Sequence, residues 1–154
     1  KAKNCRLPTE AEWEKAAGMS IAKEGQKPIR YRFGFGQNEI DRAWANYREN
    51  ERSLHVLTTP VGFYNGVNTL PLTAQDSKPV QTHDAKSAYG AYDMSGNVWE
   101  WINQEQEGLQ VVKGGCYDSL SQGVRVAERL TLRPDYCDQF TGFRVAKKSP
   151  SPSL

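Results

Sequence analysis

Cysteine is scarce in this 154-residue chain: Cys5, Cys116 and Cys137 are too few and too unevenly spaced for a disulfide framework. No CxxC or Cys/His cluster offers a zinc site, and a single bridge between two of the three thiols is all that stays open. Histidine is scarcer still, and His55 with His83 cannot build an imidazole-rich catalytic metal centre. An excess of one charge is also lacking. Lys and Arg number 20 against 18 Asp and Glu, a net charge of +2, and the basic residues are scattered among acidic ones, which excludes a nucleic-acid surface. No apolar run approaches the roughly 20 residues of a membrane span, and Lys1-Ala2-Lys3-Asn4-Cys5 leads into no signal-peptide core. With 38% apolar and 25% charged residues at this length, the expectation is one soluble globular domain.

What is present begins with a helix signal. Thr9 precedes Glu12 by three residues in a capping box, with Pro8 just before the cap. Trp13, Ala16 and Ala17 then share a face, and Gly18 is suited to close the helix in the left-handed conformation, which predicts an amphipathic helix over Glu10 to Ala17. Its apolar stripe needs a partner, so an upstream segment or partner chain is expected to complete the domain. From Gly25 to Ala88 neither helical nor strand periodicity is sustained. Tyr31, Phe33, Phe35, Trp44, Tyr47, Phe63 and Tyr64 nonetheless demand a packed surface, so this stretch reads as ordered loops. Val98–Trp101, Leu109–Lys113, Val124–Leu130 and Gly142–Ala146 read as strands of a small antiparallel sheet, with bends at Gly114-Gly115 and Pro134-Asp135. Residues 149–154 read as a flexible tail.

Most constellations have an ordinary structural explanation. Gly34-Phe35-Gly36 follows no strand and lacks the third glycine of a dinucleotide fingerprint, so it reads as a turn between aromatic anchors. Asp76, Ser77 and His83 sit in no nucleophile-elbow context and read as polar loop residues. Asp93 and Glu100 flank a glycine-containing turn. Two carboxylates and the intervening carbonyls can there converge on a hard cation; alternatively Asp93 caps the turn and Glu100 faces solvent.

Four segments together point further: Arg6-Leu7-Pro8-Thr9-Glu10-Ala11-Glu12-Trp13-Glu14-Lys15-Ala16-Ala17, Tyr89 to Trp101, Val112-Lys113-Gly114-Gly115 and Thr141-Gly142-Phe143-Arg144. Their order and spacing resemble the signature of the formylglycine-generating enzyme, or sulfatase-modifying factor, family. The resemblance implies an α+β, loop-rich variant of the C-type lectin fold with a small antiparallel sheet, stabilised by calcium. It also implies that residues 1–148 are the C-terminal part of one such domain, and it favours an extracytoplasmic or secretory-lumen setting. Carried over residue by residue, one calcium site corresponds to the side chains of Asp93 and Glu100 with the carbonyls of Gly96 and Val98. A second corresponds to the Asn46 side chain and the Tyr47 carbonyl, with Ser53 where the family places a carboxylate; loss of an anionic ligand weakens a hard-cation site.

Catalysis in the family's enzymes resembles copper(I) chemistry on two cysteines just after Gly-Gly, and soft thiolates suit copper(I). Here Cys116 is the only thiol in that loop. Counted forward from Gly115 the pair falls on Ser119 and Val124; counted back from Arg125-Val126-Ala127-Glu128-Arg129 it falls on Cys116 and Ser121, and neither register restores it. Cys116 is either a remnant nucleophile or ligand, or a small apolar residue beside a bend. Arg125, Arg129 and Arg144 read as scaffold, paired with carboxylates, rather than as an anion site. The expected function is a non-catalytic, calcium-stabilised ligand- or protein-binding module working through its C-terminal loops, on a scaffold that resembles the variable ligand-binding proteins of diversity-generating retroelements. The alternative is a copper- and oxygen-dependent oxidase converting a sulfatase cysteine to formylglycine, with Cys116 joined by Cys137 or by a residue outside this segment.

Overall fold

The computed structural model describes residues 4–49, 57–72 and 77–147. His55, Asp76, Ser53 and the 149–154 tail, all singled out above, lie outside the described residues. The described elements are β1 (Cys5–Arg6), α1 (Glu10–Gly18), β2 (Trp99–Gln106), β3 (Leu109–Lys113), β4 (Arg129–Leu132), β5 (Thr141–Phe143) and β6 (Ala146–Lys147). The architecture is α+β, with one short helix and two small sheets among the described residues.

Helix α1 starts where the capping box places it. The Glu12 amide donates to the Thr9 hydroxyl at 3.3 Å, and the Thr9 amide donates to the Glu12 carboxylate at 2.9 Å. Arg6 adds a two-pronged contact to the same carboxylate at 2.6 and 2.7 Å. That pairing, with the Thr9 amide, holds Glu12 down at about 2. The C-terminus differs from expectation: Gly18 is itself helical, and Met19 caps in an extended conformation. Gly18 is needed for room instead, since a Cβ there would lie 2.9 Å from a Val126 methyl and 3.1 Å from the Tyr31 carbonyl.

Nor is the helix face left uncovered within the chain. Trp13 and Ala17 are buried with Met94, Ile102, Val111 and Val126, and Ala16 packs against that cluster. Its partner is the inner face of the β2–β3 sheet.

The larger sheet runs β4-β3-β2-β5; β3 is antiparallel to β2 and β4, and β2 is parallel to β5. The sheet therefore carries one parallel pair, where four antiparallel strands are predicted from the sequence. The predicted strand over Val124–Leu130 begins only at Arg129, because residues 121–127 form turns. The apolar alternation there serves two separate cores. Val124 is fully buried against the Phe33–Phe35 cluster, and Val126 against Trp13. The expected last strand splits likewise: Thr141–Phe143 joins β2, while Ala146–Lys147 pairs with Cys5–Arg6.

Strand alternation sorts the sheet's two faces. Ile102 and Val111 face the helix, while Trp99, Trp101, Val112 and Leu132 form the opposite layer with Phe140 and Cys116. Lys113, with no exposed surface, reaches Glu14 at 2.7 Å and Glu10 at 3.4 Å beneath α1. The described residues of the long aperiodic middle form ordered loop, as expected. Beyond isolated bridges, its described residues are held by a stack of Phe33, Phe35, Trp44 and His83, with successive ring centroids 5.7, 4.8 and 4.2 Å apart.

Candidate functional site: a cleft beside Cys116

Gly114 and Gly115, at φ +95° and +74°, turn the chain sharply after β3 and deliver Cys116 to the outer face of the sheet. A Cβ on Gly115 would stand 2.5 Å from the Gly123 carbonyl, so the loop closes on itself there. The Cys116 amide donates to the Ser119 hydroxyl at 3.1 Å, and the thiol lies 3.4 Å from the same oxygen. Of the two registers for a cysteine pair, the structure joins one member of each. Ser121 instead contacts Gln122, and Val124 is core.

Cys116 and Ser119 form one wall of a cavity of about 290 Å³. Trp99, Leu130, Leu132 and Phe140 give it apolar sides, and Asp118, Tyr136 and Asp138 place two carboxylates and a phenol on its lining. These last three were not singled out from sequence; their signal was faint, a carboxylate two residues past Cys116 and a polar-aromatic run after the Pro134 turn. Arg48 approaches Asp118 at 3.7 Å. The hydrogen bond to Asp138 pushes the Tyr136 phenol up. All three cysteines are free, Cys116 buried and Cys5 and Cys137 exposed. Cys137 does not line the cavity although its two neighbours do.

Behind the cleft, the segments of the resemblance are knotted together. The Asn97 amide donates to the Asn46 carbonyl at 2.8 Å, the Tyr117 amide to the Asn97 carbonyl at 2.9 Å, and the Gly96 amide to the Gly114 carbonyl at 2.8 Å. The Asn97 side chain grips the Thr59 backbone through both its oxygen and its nitrogen. Asn46 is buried, with its side-chain nitrogen donating to the Leu57 carbonyl at 2.9 Å. Burial pushes the neighbouring Tyr47 phenol well up, helped by Glu49 and Asp41. Val98 sits against Gly142, whose Cβ would lie 3.2 Å from a Val98 methyl.

Asp93 and Glu100 occupy different environments. Asp93, at φ +56°, accepts the Gly62 amide at 2.8 Å, and burial raises its carboxyl against that bond and the Arg144 charge. Glu100 is 6% exposed, not at the solvent face. One of its oxygens accepts the Trp13 indole N–H at 2.6 Å, and both are held by Arg144 at 2.5 Å. Arg144 also donates to the Tyr92 and Asp93 carbonyls at 3.1 and 3.3 Å. The positive charge beside Glu100 is thus a guanidinium. At the first expected calcium site, Arg144 and the Trp13 indole take three of the acceptor positions of the Glu100 carboxylate and balance its charge, which leaves it a poorer ligand for a hard cation than a free carboxylate. The Asn46–Tyr47 site offers neutral oxygens, and the Thr59 hydroxyl, tied to it through Asn97, is buried with no hydrogen-bond partner among the described residues. Copper(I) fits the cleft poorly: one thiol with a hydroxyl beside it lacks the second soft ligand. Among the described residues, no three His, Cys, Asp or Glu side chains group as a metal site.

Arg125 pairs with Glu128 at 2.9 Å, Arg129 with Glu10 at 3.2 Å and Arg144 with Glu100, the scaffold role expected for all three. No helix among the described residues is long and apolar enough to cross a membrane.

Known proteins resemble the chain along nearly its whole length. The sulfatase-modifying factor enzyme 1-like domain matches residues 1–149. The chain is 31% identical to the serine/threonine-protein kinase pkn1 of Chlamydia caviae, covering 92% of this chain and 21% of the kinase. It is 32% identical to the formylglycine-generating enzyme of Thermomonospora curvata, covering 92% of this chain and 48% of the enzyme. It is 28% identical to inactive C-alpha-formylglycine-generating enzyme 2 of Bos taurus, covering 96% and 45%. Among solved structures, Treponema denticola variable protein 1 superposes with a TM-score of 0.60 at 26% identity over 94% of this chain and 48% of that one. The chain therefore spans between a fifth and a half of the length of these relatives. It belongs to the sulfatase-modifying factor enzyme 1-like family.

Proposed function

We propose that the chain is a non-catalytic binding module of this family, taking a ligand or a protein segment into the cleft beside Cys116. The observation that carries this reading is the pairing of the Cys116 thiol with the Ser119 hydroxyl, where a copper(I) centre needs a second sulfur. An apolar floor with a few polar groups on the lining is the ordinary composition of a binding pocket. The relatives include one named as a formylglycine-generating enzyme and one named as an inactive formylglycine-generating enzyme. Incubation with a CxPxR-containing sulfatase peptide, copper and oxygen is expected to give no thiol-to-aldehyde mass change. Conversion that disappears in Cys116→Ser would sink the reading. The second reading, a copper- and oxygen-dependent oxidase, draws on the relative named as a formylglycine-generating enzyme, and it requires exposed Cys137, or a residue outside this segment, to reach the buried Cys116 thiol.

Calcium stabilisation belongs to the same proposal, confined to the Asn46–Tyr47 loop, where the linked Thr59 hydroxyl has no hydrogen-bond partner among the described residues. A chelator is expected to lower Tm, with amide NMR changes at Asn46, Tyr47 and Asn97 and none at the Trp13 indole. An unchanged melting curve after exchange into metal-free buffer ends the calcium claim and leaves the cleft reading intact.

A further inference from the structure

A second and larger cavity, of about 620 Å³, opens on the other side of the molecule, between α1, residues 30–32 and residues 125–127. Lys15, Arg30, Arg32 and Arg125 line it, against the single carboxylate of Glu14. Glu14 is already matched by Lys113 at 2.7 Å and Arg125 by Glu128 at 2.9 Å, so Lys15, Arg30 and Arg32 are the cations of the cavity with no carboxylate partner among the described residues. Arg125 has one nitrogen on Glu128 and another on the Gln122 carbonyl, which fixes its guanidinium in place. Arg30 and Arg32 are exposed, and their side chains have no hydrogen-bond or ion-pair partner among the described residues.

The backbone beneath these cations is held firmly. The Tyr31 amide donates to the Gly18 carbonyl at 2.7 Å, and the Val126 amide donates to the Arg32 carbonyl at 2.9 Å. The 30–32 segment is therefore pinned to the helix end on one side and to the 125–127 turn on the other. The Gly18 carbonyl, which would repel an anion, is consumed in that pinning. Tyr31 and Val126 supply apolar surface in the same cavity.

We propose that this cavity binds an organic phosphomonoester, with its phosphate on Arg30 and Arg32 and its apolar body toward Tyr31 and Val126. A carboxylate is satisfied by one guanidinium fork. A phosphomonoester carries nearly two charges and three acceptor oxygens at neutral pH, which suits several guanidinium groups lining one space. The volume lies within the range of small-molecule sites. This inference is independent of the Cys116 cleft, which lies on the opposite face of the sheet from α1.

The test is an NMR titration of the labelled chain with phenyl phosphate, inorganic phosphate, phenylacetate and a tetraglutamate peptide. Phenyl phosphate is expected to give saturable shifts at Gly18, Tyr31, Arg32 and Val126, weakening as salt rises. The double variant Arg30→Gln, Arg32→Gln is expected to raise its Kd by about tenfold or more without changing Tm, since neither side chain supports the fold. No saturable shift in the millimolar range, or an unchanged Kd in the double variant, overturns the site. Equal binding of phenylacetate or the peptide overturns the phosphate assignment, and equal binding of inorganic phosphate overturns the role of the apolar body.

Discussion

Replacing Arg144 by methionine is expected to cost the fold about 3 kcal/mol, at the lower end of the range for breaking a buried ion pair because the guanidinium is partly exposed. The chain would keep a Glu100 carboxylate 6% exposed beside the Trp13 indole and lose its counter-charge, while the Tyr92 and Asp93 carbonyls lose a donor. For a domain of this size that corresponds to a fall in Tm of roughly 6 to 12 °C. The discriminating measurement is a double-mutant cycle with Glu100→Gln. If the loss arises from an uncompensated charge, Arg144→Met combined with Glu100→Gln should recover a large part of it, since the glutamine still accepts the indole N–H. A double variant as unstable as the sum of the two singles would show that Arg144 acts through its backbone contacts alone. If a metal ion and not Arg144 balanced Glu100, removing the arginine would cost little.

This network also marks the limit of what the residues announce along the chain. Local features are legible because their physics is local. The capping box needs only Thr9 and Glu12, and the bend after β3 needs only Gly114 and Gly115. The four segments of the signature meet in the fold: the Gly96 amide bonds the Gly114 carbonyl, and Glu100 takes both Trp13 and Arg144. The partners of that knot were not legible. Glu100 and Arg144 stand 44 residues apart, and no spacing rule distinguishes a carboxylate that meets a guanidinium from one that meets a cation. Val124 and Val126 misled for the opposite reason. Two apolar residues at strand spacing look alike whether they share a sheet face or, as here, plug two different cores from one turn. The cleft was half visible: Cys116 was singled out, while its contact with Ser119 depends on a turn that neither family register anticipates. Asp118, Tyr136 and Asp138 reach the same cavity from two separate loops, and only the folded chain brings them together.

Gly96→Ala is expected to be the most damaging single substitution of a glycine in the knot, and Gly90→Ala supplies its control. The two glycines have the same φ of +83°, so alanine meets the same left-handed strain at both, about 1 kcal/mol. Their surroundings differ completely. A Cβ on Gly90 meets nothing within 4 Å, whereas a Cβ on Gly96 would stand 2.2 Å from the Asn46 carbonyl oxygen and 3.0 Å from its carbon. Those atoms are backbone and cannot swing aside. The Asn46 carbonyl also accepts the Asn97 amide, and the Gly96 amide is committed to Gly114, so relief requires moving both the Asn46 loop and the chain leading into the cleft. Overpacking of this kind adds about 1–3 kcal/mol or more to the conformational strain. Urea unfolding of the two variants should therefore place Gly90→Ala about 1 kcal/mol below the parent and Gly96→Ala about 3 kcal/mol or more below it, with Gly96→Ala also shifting the Cys116 and Ser119 amides through Gly114. Equal midpoints for the two variants would mean that the loops carrying Asn46 and Gly96 do not hold each other at the distance described, and that the cleft is not braced from behind by this contact.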